Sequence, residues 1–185
     1  MEALQQPLKL RRAVDPIPEL KEYDAITGLV VDALFRRRFE AQWTVYQRSG
    51  MPLALLLVNL DGFRDFRAAN DKLVVRDALA RTAVTASSAC RRRADLAGRV
   101  RSGEFALMLS DTNEAGARQM ADTVRSAIEA LAIPFPRSPT GDRLTATVGV
   151  ACAVPASARF PNSLFIVADQ ALADGKRCGR NRVAA

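Results

Sequence analysis

The sequence predicts an α/β fold, an α+β sandwich of the order βααββαβ in which one central mixed sheet is flanked by helices. Three observations carry this prediction. The nearly apolar run 53–60 has the length and composition of a buried central strand. Alternating apolar residues on both sides of a short turn predict a β-hairpin at 96–109. The segments between the strands show the apolar spacing of amphipathic helices.

The length of the chain, 185 residues, is enough for one domain with its own core. We place an irregular N-terminal extension at residues 1–23, where prolines interrupt a segment of mixed charge. A single domain then covers residues 24–185, because no internal repeat or change of composition divides it.

The first predicted element of the domain is a turn at residues 24–29, followed by a helix at about residues 30–47 that ends at Gly50. The apolar residues of this helix recur at helical spacing, which predicts that one face packs on the core. The strand at 53–60 follows, and residues 63–69 form a short helix or turn. The apolar face of the first helix consists of Val31, Leu34, Phe35, Phe39, Trp43 and Tyr46.

A long helix at residues 71–90 leads into the predicted hairpin, whose turn contains Arg101, Ser102 and Gly103. Gly103 supplies the positive φ that a tight turn requires. A hairpin needs only a turn-forming residue here, so the many charges around this turn indicate either a solvated edge or a site for an anionic ligand. The charged residues are Arg92, Arg93, Asp95, Arg99, Arg101 and Glu104.

A helix, a strand and a last helix follow the hairpin. Thr112 or Asn113 caps the first of these helices, and the proline-containing residues 133–142 are predicted to form a loop. A strand comes next at 144–153, and Ser163 is predicted to cap the last helix. The remaining segments are a loop at 155–161 and a short edge strand at 181–183.

The composition excludes several classes of protein. The chain contains no histidine, which excludes Ser–His and Cys–His nucleophiles and removes the commonest metal ligand. Its three cysteines, Cys90, Cys152 and Cys178, lack metal-site spacing and are typical of a reducing compartment. No apolar run is long enough to cross a membrane, and the N-terminus lacks a signal-peptide pattern. We therefore expect a cytoplasmic protein without a membrane partner.

The net charge of the chain is +7, almost entirely through arginine, and its pI is about 10.0. Arginine binds phosphate through planar pairs of N–H groups. The charge therefore indicates either a solvated basic surface or a phosphate-bearing partner. Nucleic acid is the less favoured partner, because the arginines are scattered along the chain and aromatic residues make up only 6% of it.

Several motifs resemble, in their order and spacing, those of the GGDEF family, the diguanylate cyclases that join two GTP molecules into cyclic di-GMP. The resemblance covers roughly residues 24–184 and implies the nucleotidyl-cyclase-like version of the predicted fold. The segments that carry it are 24–29 (DAITGL), 59–64 (NLDGFR), 99–105 (RVRSGEF), 168–172 (ADQAL) and 179–183 (GRNRV).

The positions at which the chain departs from the family predict that it is not an enzyme. Asn59 and Gly103 stand where the family has the two carboxylates that hold its divalent metal ions. An amide is a weak ligand for Mg²⁺ and glycine has no side chain, so we expect no metal site and no Mg²⁺ cofactor. The family's guanine-reading positions are Arg67 and Arg76 here, and arginine has no acceptor for the guanine N–H groups.

Other positions concern the phosphates of GTP. Lys176 and Arg180 match the family residues that hold the triphosphate, although the dipole of a helix end explains two basic residues equally well. Arg101 and Ser102 replace the two glycines that the phosphates approach, and their side chains would fill that space. The acidic residues retained in these motifs are Asp61 and Glu104.

One functional motif of the family is retained. Residues 92–95 (RRAD) match the R-x-x-D motif of the inhibitory product site, and Asp95 lies six positions before Arg101, as in the family. Arginine can bind phosphate and the O6/N7 edge of guanine, while a carboxylate accepts from guanine N1–H and N2–H. The resemblance therefore implies that cyclic di-GMP is a ligand, in a site completed by a further arginine. The predicted ligand residues are Arg92, Asp95, Arg93, Arg125 and Arg48.

The sequence leads to three hypotheses for function. The first is a catalytically inactive GGDEF-like domain that acts as a cyclic di-GMP receptor in bacterial second-messenger signalling, with an unidentified signalling protein or a second copy of the chain as its partner. The second is a protein-interaction scaffold without a ligand. The third is residual GTP binding or diguanylate cyclase activity through Lys176 and Arg180.

Overall fold

The computed structural model describes residues 22–156 and 160–185. In chain order, their elements are β1 (Val30–Val31), α1 (Asp32–Ser49), β2 (Leu53–Leu60), α2 (Phe63–Ala69), α3 (Lys72–Ser87), β3 (Leu96–Arg101), β4 (Glu104–Ser110), α4 (Glu114–Ala130), β5 (Pro134–Ser138), β6 (Gly141–Arg143), β7 (Ala146–Ala153), α5 (Pro161–Arg177) and β8 (Val183–Ala184). Within these residues, six strands form one sheet in the order β1-β3-β4-β2-β7-β8, and β5 and β6 form a separate hairpin.

β2 lies at the centre of the sheet, antiparallel to β4 on one side and to β7 on the other. Its side chains alternate between two cores, which explains why this strand is apolar on both faces. One core lies between the sheet and α2, α3 and α4, and the other lies between the sheet and α1 and α5. The β2 residues of the first core are Ala54, Leu56, Val58 and Leu60, and those of the second are Leu53, Leu55 and Leu57.

This architecture confirms the predicted α/β sandwich with one mixed sheet. The central strand and the short helix at 63–69 have the predicted bounds, whereas α3 already ends at Ser87. Gly103 has a φ of +72° in the hairpin turn, as expected. Asn113 rather than Thr112 caps α4 through a side-chain hydrogen bond. An edge strand lies beside β7 as predicted, but it spans Val183–Ala184 rather than residues 181–183. None of the described helices has the length and apolar character needed to span a bilayer.

The predicted starts of the first and last helices are wrong. Val30 and Val31 form an edge strand that pairs in parallel with β3, so the first helix begins at Asp32. This short strand depends on a partner far away in the chain, which local spacing does not reveal. The last helix begins at Pro161, and Ser163 does not cap it, because the Ser163 hydroxyl donates to the Phe160 carbonyl instead.

The predicted loop at 133–142 contains the β5–β6 hairpin. Pro134 and Pro136 favour a loop in the sequence, but a two-stranded hairpin tolerates proline because each strand has an unpaired edge. Phe135 of β5 is buried, and its ring packs edge-on against Phe66 of α2 at a centroid distance of 5.4 Å. The hairpin therefore extends the core under α2.

Asp24 fixes the turn that precedes β1. Its Oδ1 accepts from the backbone N–H and the hydroxyl of Thr27, at 2.9 and 2.8 Å, and Arg99 of β3 donates to both carboxylate oxygens at 3.0 Å. Burial opposes ionisation of Asp24, but the hydrogen bonds from Thr27 and Arg99 outweigh it and hold the pKa of Asp24 below its ordinary value. The pair ties the entry turn to the hairpin.

Replacing Asp24 with asparagine is expected to lower the free energy of unfolding at neutral pH by about 2 kcal/mol, because the charged hydrogen bonds to Arg99 and Thr27 are lost. A carboxylate with a lowered pKa stabilises the fold above its ordinary pKa, and this contribution is lost as the pH falls through the lowered value. The difference between parent and variant, measured by urea unfolding, should therefore shrink as the pH falls below the ordinary aspartate pKa and through the lowered value.

The matched control is Glu22→Gln, which removes an exposed pair with Arg37 at 3.9 Å. This pair contributes little to stability because water screens it, so the control should unfold like the parent at every pH. A difference between the Asp24→Asn variant and the parent that stays constant on acidification would contradict the prediction.

Candidate functional site

Most of the predicted site residues lie on or beside one of two surfaces. The first, the turn pocket, has a volume of about 280 Å³ and lies where the β3–β4 turn, the end of β2 and the C-terminal end of α5 meet. It is lined by Asn59, Leu60, Asp61, Gly62, Phe63, Arg64, Ser102, Lys176 and Arg180. The second, the Arg92 hollow, has a volume of about 310 Å³ and lies beside the loop between α3 and β3. It is lined by Ala89, Arg91, Arg92, Asp95, Leu109, Thr112 and Met120.

Glu104, at the start of β4, is only 4% exposed and has a partner at each carboxylate oxygen. The side-chain amide of Asn59 donates to Oε2 at 2.9 Å, and the guanidinium of Arg101 donates to Oε1 at 2.7 Å. Arg101 also reaches Asp169 of α5 at 3.4 Å. Glu104 is the main cause of a raised pKa of Arg101, so the guanidinium stays charged. Groups of the protein itself therefore neutralise this buried carboxylate.

Asp61, directly after β2, is 1% exposed and accepts three hydrogen bonds. The Thr147 hydroxyl donates to Oδ1 at 2.6 Å, while the Thr145 hydroxyl and the Asn181 backbone N–H donate to Oδ2 at 2.7 and 3.1 Å. A carboxylate at this depth requires such partners. Asp61 thereby joins β2, β7 and the C-terminal turn at the rim of the turn pocket.

Gly103 has no room for a side chain. A Cβ built on its backbone would lie 2.4 Å from Cδ1 of Phe63, well inside van der Waals contact. Phe63 is itself buried, and its ring stacks on Phe66 with centroids 6.0 Å apart. This position therefore contributes only backbone atoms to the hairpin turn.

The residues of the turn pocket do not fit Mg²⁺, the cofactor that the family resemblance implies. Mg²⁺ requires several oxygen ligands in near-octahedral geometry. Asn59 offers an amide whose N–H is bound to Glu104, and the carboxylates of Glu104 and Asp61 already accept hydrogen bonds from the protein. Residues 22–156 and 160–185 contain no group of three or more histidine, cysteine, aspartate or glutamate side chains that could hold a metal ion.

Lys176 and Arg180 come together at the turn pocket. Lys176 lies in the last turn of α5, and Arg180 and Asn181 follow it with left-handed φ values of 62° and 45°. The side-chain amide of Asn181 donates to Glu129 at 2.9 Å and accepts from Arg125 at 3.0 Å. These contacts hold the two left-handed residues, and the turn that they form carries Arg180 to the pocket.

Arg92 and Asp95 lie together in the Arg92 hollow. Asp95 accepts from the backbone N–H groups of Arg91, Arg92 and Ser110, at 2.9, 2.8 and 2.8 Å. One guanidinium nitrogen of Arg92 donates to the Ser110 carbonyl at 2.6 Å and to the Thr112 hydroxyl at 2.9 Å. Both side chains are thus anchored to the loop and to the end of β4.

The other predicted ligand residues are not brought to Arg92. Arg93 is exposed and does not line the hollow. Arg125, whose side chain is 17% exposed, binds two acidic residues of its own helix and Asn181, so it braces the C-terminal turn. Arg48 lines a different depression at the end of α1. Their contacts with a ligand remain predictions from sequence.

Some residues of these surfaces carry little sequence signal. Met120 lines the Arg92 hollow, but it continues the apolar stripe of α4 and is interpreted from sequence as a core residue. Thr145 and Thr147 hold Asp61, and their alternate spacing is the one sequence feature that puts both hydroxyls on the same side of the chain.

Comparison with known proteins gives both a family and relatives. The family model described as "Diguanylate cyclase, GGDEF domain" matches residues 21–182. The probable diguanylate cyclase DgcT of Escherichia coli (strain K12) is 29% identical over 152 residues, which are 80% of this chain and 33% of that protein. Diguanylate cyclase DgcP of Pseudomonas aeruginosa is 29% identical over 167 residues, which are 86% of this chain and 23% of that protein. The chain thus spans about a third or less of the length of these relatives.

Solved structures share the fold. The GGDEF domain of DgcB from Caulobacter crescentus, solved in complex with c-di-GMP, has a TM-score of 0.79 at 22% identity and covers 89% of this chain and 92% of that one. Diguanylate cyclase SiaD of Pseudomonas aeruginosa, solved with its activator SiaC, has a TM-score of 0.75 at 26% identity and covers 89% of this chain and 61% of that one.

The comparisons contradict the prediction that the chain is not an enzyme. The matching family is described as a diguanylate cyclase domain, and the relatives DgcT and DgcP are named as diguanylate cyclases. That prediction rested chiefly on Asn59 and Gly103, whereas the family match extends across residues 21–182. By this match, the chain belongs to the GGDEF family.

Proposed function

We propose that this domain acts in cyclic di-GMP signalling by binding cyclic di-GMP at the Arg92 hollow. The main support is the placement of the Arg92 guanidinium and the Asp95 carboxylate in one hollow of about 310 Å³. Guanine has acceptors at O6 and N7 and donors at N1 and N2, and an arginine and a carboxylate complement these two edges. The DgcB domain, which has the same fold, was solved in complex with c-di-GMP.

Both side chains are oriented before a ligand arrives. Asp95 accepts three backbone hydrogen bonds, and Arg92 is anchored to Ser110 and Thr112. Binding then costs less conformational entropy, because neither side chain, above all the long side chain of Arg92, has to be fixed at that moment. Arg91 and Arg93 place further positive charge on the same loop, where it favours the ligand's phosphates.

Replacing Arg92 with alanine is expected to weaken cyclic di-GMP binding about 10- to 100-fold, since a charge-assisted hydrogen bond contributes about 1.5–3 kcal/mol. Isothermal titration calorimetry on the pure proteins measures the change. Arg92→Lys serves as a second variant that keeps the charge but loses the planar pair of donors, and it should bind at an intermediate strength.

The matched control is Arg143→Ala, which removes the same charge from β6, outside the hollow, and should bind like the parent. Thermal unfolding of each variant shows whether it folds, because Arg92 also braces the end of β4. No binding by the parent at tens of micromolar ligand, or parent-like binding by Arg92→Ala, would overturn the proposal.

GTP is the second candidate ligand, at the turn pocket, with diguanylate cyclase activity as the reaction that the names of the relatives suggest. Lys176 and Arg180 favour this candidate, because both line that pocket. Incubation of the pure protein with GTP and Mg²⁺, followed by chromatography for cyclic di-GMP, tests the reaction. Product that disappears in Lys176→Ala supports it, and a parent without product overturns the catalytic form of this candidate.

A partner is part of the proposal, because a bound signalling ligand must change the contacts of the domain with another protein or with a second copy of the chain. SiaD, which has the same fold, was solved with its activator protein SiaC. Light scattering with and without cyclic di-GMP distinguishes the two kinds of partner. A ligand-induced dimer identifies the second copy, and a monomer under both conditions excludes it.

A further inference from the structure

We propose that the turn pocket binds the phosphate groups of a nucleotide or an inorganic polyphosphate without a divalent metal ion, because the protein supplies the neutralising cation itself. This mode of binding rests on the second candidate function, GTP binding in the same pocket, and specifies how the phosphates are held. The starting observation is that the residues of the pocket do not fit Mg²⁺, although the family resemblance implies it.

The negative charge beside the pocket is already neutralised by the protein. The buried Glu104 carboxylate has the Arg101 guanidinium 2.7 Å from one oxygen and the Asn59 amide 2.9 Å from the other. A divalent ion at this carboxylate would have to displace Arg101 or lie close to its positive charge, and like charges at such separations repel each other. Arg101 and Asn59 therefore already supply the positive charge and the donor that this carboxylate needs.

Positive charge remains in the turn pocket in addition to that of Arg101. Arg64, Lys176 and Arg180 all line the pocket, and no ion pair involves their side chains in the part of the chain that the structure describes. Arg67 lies beside them and donates to Ser102 at 3.4 Å. The three cations that line the pocket outnumber the one carboxylate of its lining, Asp61, which accepts hydrogen bonds from hydroxyl and backbone donors. Such an excess of positive charge forms a site for a multiply charged anion.

Added Mg²⁺ should change the affinity of the pocket for polyphosphate in opposite directions for the two modes of binding. In solution Mg²⁺ binds polyphosphate and cancels part of its negative charge. A pocket that uses Mg²⁺ as a bridge binds polyphosphate more tightly when the ion is added. A pocket of fixed cations binds it more weakly, because the complex offers less negative charge and brings a cation towards Arg101.

The test is calorimetric titration with inorganic tripolyphosphate, and in parallel with GTP, at one ionic strength, in EDTA and in excess Mg²⁺. We expect binding in EDTA and binding weaker by about threefold or more in Mg²⁺. Lys176→Ala and Arg180→Ala should each weaken the binding in EDTA by about tenfold. Arg177→Ala is the matched control, because Arg177 lies at the same helix end, pairs with Asp174 and does not line the pocket.

Arg101→Ala tests the internal cation directly. This variant leaves the charge of Glu104 uncancelled, so it should weaken binding in EDTA and reduce the unfavourable effect of Mg²⁺, whereas Arg101→Lys should keep most of the binding. Tighter binding in Mg²⁺ than in EDTA, or an unchanged Arg101→Ala, would overturn the metal-free mode and leave GTP as a ligand. No binding of tripolyphosphate or GTP under either condition would overturn the second candidate function as well.

Discussion

Replacing Gly103 with alanine is expected to lower the free energy of unfolding by about 3 kcal/mol, through strain in a left-handed backbone and an overpacked contact. The residue has a φ of +72°, and a Cβ would lie 2.4 Å from Cδ1 and 2.6 Å from Cγ of Phe63. Phe63 is held in place because it stacks on Phe66, which packs edge-on against Phe135. Urea unfolding followed by circular dichroism measures the loss.

Gly28→Ala is the matched control for backbone strain alone. Gly28 has a φ of +68°, and no atom lies within 4 Å of the position that a Cβ would take there, so we expect a loss of about 1 kcal/mol. The double variant Gly103→Ala with Phe63→Leu measures the contribution of the overpacked contact. Leucine is smaller than phenylalanine and relieves this contact, so the effects of the two substitutions on the free energy of unfolding should not add up. Equal losses at Gly103 and Gly28 would contradict the role of Phe63.

The contact with Phe63 would also affect an aspartate at position 103, which is the family's residue there. Aspartate has the Cβ that meets Phe63, so Gly103→Asp is expected to destabilise the hairpin at least as much as alanine does. The hairpin turn of this chain and a carboxylate at position 103 are therefore compatible only if Phe63 or the turn moves. Glycine at this position satisfies a packing constraint in addition to the constraint of the turn.

Elements whose burial follows a simple period could be predicted from the sequence. β2 is predictable because helices cover both faces of the sheet, so its whole run is apolar. α4 is predictable because Ala117, Ala121, Val124 and Ile128 form one buried stripe. β1 is not, because its two residues continue the apolar pattern of the helix and become a strand only by pairing with β3.

The candidate site could be predicted only where its residues are close in sequence. Arg92 and Asp95 belong to one loop, and their spacing alone brings them together. Arg125 has its decisive contact with Asn181, which lies 56 positions later in the chain. No local pattern shows that contact, so the sequence does not reveal that Arg125 braces the C-terminal turn, and its role as a ligand residue stays a prediction.

The net positive charge of the chain is compatible with a solvated basic surface or with an anionic partner. The structure contains cations that suit each of these two interpretations. Arg36 and Arg118 pair with carboxylates one helical turn away, as solvated surface arginines do. Lys176 and Arg180 face the turn pocket instead. Composition could not separate these cases, because the difference lies in which cations have a carboxylate within reach.

Removing the Asp61 carboxylate is expected to lower the free energy of unfolding by about 4 kcal/mol in Asp61→Ala, because two buried donors and one half-buried donor lose their acceptor. The donors are the hydroxyls of Thr145 and Thr147, which are almost fully buried, and the backbone N–H of Asn181. Asp61→Asn keeps the shape and one acceptor oxygen, so we expect about half of this loss. Urea unfolding of both variants measures the series.

Asp61 is also expected to affect phosphate binding, because its carboxylate accepts a hydrogen bond from the Asn181 backbone N–H and so holds the turn that carries Arg180 to the pocket. Asp61 also lines the turn pocket, so Asp61→Asn removes a negative charge that repels phosphate. We nevertheless expect folded Asp61→Asn to bind tripolyphosphate several-fold more weakly than the parent, because the turn that presents Arg180 is no longer held. Asp65→Ala is the matched control, since this exposed carboxylate in the first turn of α2 contributes about 0.5 kcal/mol through the helix dipole. Parent-like stability and parent-like phosphate binding in the Asp61 variants would show that Asp61 does not organise the C-terminal turn.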